Sequence, residues 1–95
     1  MENKVSVSCG SQVTIQQAEA LKQRFLNALN KQSNLCYVNA SKVEKLDTAG
    51  AQLLYAFIRQ AETMSIEVRW QHPSSALLAD AKLLGMQQVL QLNNL

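Results

Sequence analysis

The 95-residue chain has one histidine, one proline, three glycines and two cysteines, and aromatic residues make up only 5% of it. Each scarcity excludes something. The glycines stand alone at positions 10, 50 and 85, so there is neither a Gly-x-Gly-x-x-Gly turn nor a phosphate loop ending in Gly-Lys-Ser/Thr. The lone His72 precedes Pro73 in a stretch that reads as a surface turn, and no Ser or Cys is accompanied by an evident base. Cys9 and Cys36 each lie inside an apolar, strand-like segment without Cys-x-x-Cys or paired-histidine spacing. Both are expected as small buried hydrophobes rather than disulfide, metal or catalytic residues. Among the acidic residues Glu44 and Asp47 are near each other, but one pair without histidine is a weak metal signal, and no metal or other cofactor is expected.

Long hydrophobic runs are missing as well. Nothing approaches the ~20 apolar residues of a membrane span, and Met1 to Ser8 lacks the apolar stretch of a signal peptide. A cytoplasmic protein without direct membrane insertion is the expectation. Nine Lys and Arg against seven Asp and Glu leave a charge of +2, scattered along the chain, which argues against a nucleic-acid partner. Trp70 and Tyr37 fall in strand-like segments without a basic groove and are assigned to packing.

What the chain does have is a 47% share of apolar residues in regular patterns, enough for one domain over residues 1–95. A domain of this size buries about two-thirds of the unfolded surface. Val5 to Cys9 alternates apolar with polar, and Gly10-Ser11 offers a turn into Val13 and Ile15, so the start reads as a hairpin. Thr14 and Gln17 have capping-box spacing, and Ala18, Leu21, Phe25, Ala28 and Leu29 recur at helical intervals, predicting a helix over 15–30. Leu35 to Val38 is short and apolar, as expected of a central strand covered on both faces.

A second helix is predicted from Thr48 to about Met64, with Ala51, Leu54, Ile58 and Ala61 along one edge and Leu53, Phe57 and Met64 beside it; Arg59, Gln60 and Glu62 face water. Ile66, Val68 and Trp70 alternate with charges as a further strand. Ser74 or Ser75 can cap a third helix with the stripe Leu77, Leu78, Ala81 and Leu84, which Gly85 stops, and Met86 to Leu92 adds a short strand or turn. The order β-β-α-β-α-β-α predicts an α/β (α+β) domain, a mixed sheet with helices packed against it.

The most informative stretch is Asp47-Thr48-Ala49-Gly50, where a helix opens on a hydroxyl. The first N–H groups of a helix have no intrahelical partner and carry roughly half a positive charge. Asp47 is placed to cap them, leaving Thr48 at the first helical position, where a phosphate could be held or added. On chemistry alone an ordinary helix start remains the simpler reading.

The run from Val38 through Asp47-Thr48-Ala49-Gly50 to Leu54 resembles the signature region of STAS domains, the family of bacterial anti-sigma-factor antagonists, with its Asp-Ser/Thr-x-Gly motif. The early strand, the helix from Leu21 to Leu29 and the close from Leu77 to Met86 extend the likeness over nearly the whole chain. The resemblance implies a non-enzymatic module with Thr48 as the candidate phosphoacceptor. By the same resemblance Asp47, Thr48, Ala49, Gly50, Gln52 and Lys45 would contact a kinase-like anti-sigma factor or other signalling protein. The surface would span the loop from Lys42 to Leu46 and reach exposed residues such as Tyr55. Threonine at this position is also similar to relatives that serve as the small cytoplasmic STAS subunit of a phospholipid-transport ABC complex, where the helix end contacts the ATPase without phosphorylation.

Overall fold

The computed structural model describes residues 3–93. Strands β1 (Lys4–Ser8), β3 (Leu35–Asn39) and β5 (Glu67–Gln71) form one sheet in the order β1-β3-β5, with both pairings parallel. The register places Val5, Cys36 and Val68 in one row and Val7, Val38 and Trp70 in the next. Successive side chains of a strand alternate between faces, so these rows share one apolar face. Helices α1 (Ala18–Leu29) and α2 (Thr48–Thr63) pack against it, with Leu21, Phe25, Ala28 and Leu29 of α1 and Ala51, Leu54, Phe57, Ile58 and Ala61 of α2 buried. Phe25 and Phe57 meet with ring centroids 4.7 Å apart.

The opposite face carries Lys4, Ser6, Tyr37, Glu67 and Arg69. Only Leu35 is buried there and Tyr37 is half-buried. The central placement of the Leu35–Val38 strand holds, but helices cover one of its faces and not both.

The expected hairpin does not form. The short strand β2 (Gln12–Val13) turns away from β1 and pairs in parallel with β4 (Lys45–Leu46) as a separate two-stranded sheet. The reason is that β1 is already committed to β3: the Cys9 N–H continues their ladder by donating to the Asn39 carbonyl at 3.0 Å. Arg24 then holds the exit by donating to the Ser8 carbonyl at 2.8 Å. Strand β4, within the stretch expected as loop, has two residues and so carries no readable period.

The capping box at Thr14 is also replaced. Thr14 makes no side-chain cap, and Ile15–Gln17 form a single 3-10 turn before α1. The Gln17 N–H that such a cap would engage donates instead to the Thr14 backbone carbonyl at 3.0 Å as the 3-10 turn closes, and the Ile15 N–H donates to the Asp47 carboxylate.

Helix α2 matches its expected span, although Met64 stands 42% exposed beyond its last turn. Helix α3 (Ser75–Leu83) is capped by Ser74 and buries Leu77 and Ala81, with Leu78 and Leu84 packed alongside. Gly85 ends it at φ +70°, the left-handed conformation glycine adopts most cheaply. Residues 86–92 are turns rather than a strand, and they bury Leu90 and Leu92 against the core. Trp70 fastens this closing segment by donating from Nε1 to the Leu90 carbonyl at 2.8 Å.

Candidate functional site

The start of α2 is built from contacts on three segments. Asp47 takes an extended conformation as the N-cap, and its Oδ1 accepts from the Gly50 N–H at 2.8 Å. Its Oδ2 accepts from the Ile15 N–H at 2.9 Å, 32 residues away in sequence. Its own N–H donates to the Val13 carbonyl at 3.2 Å. One carboxylate therefore ties the entrance of α1 to the entrance of α2.

Gly50 completes the junction by what it lacks. A Cβ at this position would lie 1.8 Å from the Val13 carbonyl oxygen, so only glycine lets the first turn of α2 rest on β2. The spacing of the Asp-Thr-Ala-Gly motif thus acquires a physical meaning: the acid caps two backbone N–H groups, and the glycine permits the close approach. Gly50 was expected among the contact residues; it is buried, and its part is packing.

Between these two residues Thr48 occupies the first helical position, exposed, and among the described residues its hydroxyl has no hydrogen-bond partner. Ala49 is half-buried, while Lys45 and Gln52 are exposed. Tyr55, 37% exposed, extends the same helix outward with the Arg59 guanidinium 6.0 Å from its ring centre. Of the expected contact loop, Lys42, Glu44 and Lys45 are exposed, while Val43 and Leu46 belong to the core.

Two residues outside the expected site help to hold it. Asp80 of α3 accepts from the Leu46 N–H at 2.9 Å through Oδ2, fixing β4 just before the motif. Ile15 lies against the motif through its N–H, with its side chain 66% exposed. Neither bears a local sequence signal, because each contact joins segments more than 30 residues apart.

Asp47 is held below the ordinary carboxylate range, first by the Gly50 N–H and next by that of Ile15, with smaller help from the Lys45 charge and the Ala49 N–H; burial opposes them. The carboxylate is ionised at neutral pH and its charge is answered by backbone. The thiols behave oppositely: burial pushes Cys9 up to about 12, against a pull from Arg24, and Cys36 up to about 11. Both are free and protonated at neutral pH, which leaves them poor nucleophiles.

The site is an exposed surface rather than a chamber. An apolar groove of about 230 Å³ runs between α1 and α2, lined by Phe25, Leu26, Leu29, Leu53 and Phe57, and Thr48 is not part of it. What Thr48 can offer is a hydroxyl at the positive end of a helix, on rigid backbone, open to another protein.

A parallel sheet with helices on one face and a doubly tied Asp-Thr-x-Gly helix start define a STAS-type interaction module. The family model described as "Mlab, STAS domain" matches residues 2–92, and the chain belongs to that family. The fold is similar to that of the protein TM1081, solved by NMR, with a TM-score of 0.71 and 16% identity over 90% of this chain and 70% of that one. No curated protein matches the sequence.

Proposed function

We propose that this STAS domain is a non-enzymatic regulatory module whose α2 entrance binds a kinase-like anti-sigma factor or another signalling protein, with phosphorylation of Thr48 as the release switch. The observation that carries this reading is the free, exposed Thr48 hydroxyl at the first position of α2, beside a carboxylate whose two oxygens each accept a backbone N–H. A phosphate there adds a charge of about −1.5 to −2. The helix end favours it and Asp47 opposes it, so the added charge falls at the centre of the contact without requiring the domain to rearrange.

A second reading keeps the surface and changes the partner to the ATPase of a phospholipid-transport ABC complex. It is favoured by Ala49, which leaves the site a single hydroxyl, and by a Thr48 hydroxyl free to form a contact bond without any phosphate.

The test is co-purification from native cells of the wild type, Thr48→Ala and Thr48→Glu. The switch reading expects a kinase-like protein lost with Thr48→Glu at unchanged thermal stability, an affinity loss of about tenfold or more, equivalent to ~1.4 kcal/mol. A transporter ATPase retained by the wild type and weakened by both variants would establish the second reading. Unchanged affinity in a folded Thr48→Glu variant would overturn the switch.

A further inference from the structure

The two outer strands of the main sheet end it differently. Along β1 the Asn3 carbonyl and the Cys9 N–H bond toward β3, so Lys4, Ser6 and Ser8 turn their backbone groups outward. That edge is blunted: Arg24 donates to the Ser8 carbonyl, and Lys4 stands exposed on it. Along β5 the Glu67 N–H donates to Asn34 and the Gln71 carbonyl accepts from Ala40. Glu67, Arg69 and Gln71 therefore bond inward, and Val68 and Trp70 turn their N–H and C=O groups outward. Among the described residues no hydrogen bond reaches those outward groups. The closing turns hold Trp70 by its indole and leave its backbone free. An unpaired strand edge of this kind is a template for another strand.

The charges on β5 indicate which strand fits. Glu67 and Arg69 are both exposed on the sheet face opposite the helices, and Arg69 Nε donates to the Glu67 carboxylate. The strand thus carries one acid and one base, with guanidinium donors and carboxylate lone pairs to spare. When a second β5 lies antiparallel about a two-fold axis at Val68, Glu67 of each copy stands directly across from Arg69 of the other. The signs then alternate around the axis, an arrangement that stabilises a strand pair. Val68 exchanges both backbone bonds with Val68 of the second copy, and the Trp70 N–H meets the Ile66 carbonyl. The neighbouring registers fit less well. Centred on Arg69, the pairing sets guanidinium against guanidinium. Centred on Trp70, it sets Val68 against His72, whose φ of +51° departs from the extended conformation.

We propose that β5 is a self-pairing edge through which two copies of this chain join antiparallel about Val68 into one continuous sheet. The same strand serves both copies, so the association closes at a dimer and leaves only the blunted β1 edges outside. It uses none of the residues of the Thr48 surface and stands whether or not that surface docks a partner.

The experiment is sedimentation equilibrium of the purified chain between about 10 μM and 1 mM, the span in which a small interface shows itself, with amide exchange followed at each end of the range. The expected result is a monomer–dimer equilibrium in which the Val68 amide, unpartnered within the chain, exchanges more slowly as the dimer fills. A monomer at every concentration overturns the proposal, and so does a dimer that leaves Val68 exchange unchanged. Arg69→Glu should weaken the dimer about tenfold or more with the circular dichroism spectrum unchanged, because acid then faces acid across the axis. Adding Glu67→Arg to it should restore the dimer, since each charge again meets its opposite. A dimer indifferent to Arg69→Glu, or one that the double exchange fails to restore, overturns the register and with it the proposal.

Discussion

Two helices of this domain begin with a hydroxyl residue close to an N-cap, and the two hydroxyls have opposite fates. At the start of α3, Ser74 is the cap itself: its Oγ accepts from the Leu77 N–H at 3.0 Å and donates to the Val43 carbonyl at 2.6 Å. At the start of α2 the cap is Asp47, which relieves Thr48 of any such duty and leaves its hydroxyl exposed. The first hydroxyl is consumed by the fold, whereas the second is spare. The difference lies in one position: Ser74 stands at the N-cap, whereas Thr48 stands one residue past it, where Asp47 already does the capping.

Substitutions at the two starts should separate along that line. The largest loss is expected for Gly50→Ala, because its Cβ would fall 1.8 Å from the Val13 carbonyl oxygen and α2 would have to lift off β2. Overpacking against backbone of this kind costs about 3 kcal/mol, to be read from the shift of the urea midpoint. Asp47→Ala should follow at about 2 kcal/mol, since both the α2 cap and the tie to Ile15 disappear. Faster amide exchange at Ile15 as well as Gly50 would show that both ends of the bridge had opened.

Ser74→Ala should cost about 1–2 kcal/mol by the same denaturation measurement, as the Leu77 N–H and Val43 carbonyl lose their partner. Thr48→Ala is expected to cost less than about 0.5 kcal/mol, because the hydroxyl supports nothing among the described residues. If Thr48→Ala proved as costly as Ser74→Ala, the contrast between the two starts would fail and Thr48 would be a structural cap.

Acid sharpens the comparison from another side. The folded-state pKa of Asp47 lies below its unfolded value, so its contribution is present above about pH 4, the ordinary carboxylate value, and is lost as pH falls through the lower folded value. In Asp47→Asn that part of the acid limb should flatten, which a pH series of thermal melts would detect. The effect is small because the carboxylate is only half-buried. Ser74→Ala should leave the limb unchanged, since a hydroxyl does not titrate there.

The parts of this design that were legible in the sequence are those written locally. Asp47 as cap, the span of α2, a serine cap at 74 or 75, which the structure places at Ser74, and Gly85 as a stop each depend on neighbours within a turn or two, and each holds in the structure. The apolar alternation of β1 and β5 was readable for the same reason. What escaped depends on distant partners: β1 reads equally well as the arm of a hairpin until β3 takes its ladder, and two-residue β4 exists only because β2 lies beside it. The motif itself was legible as a helix start. Its bond to Ile15, and the carbonyl that forbids a side chain on Gly50, belong to a segment more than 30 residues earlier.

Trp70 is the only tryptophan in the chain, and its indole N–H is spent on the carbonyl of Leu90. Its emission is therefore a native optical gauge of whether the last turns remain docked, with a shift to longer wavelength marking their release into water. Every variant named above can be scored on that gauge without a label. A change in partner binding that leaves the spectrum still is a change at the surface and not a loosened fold.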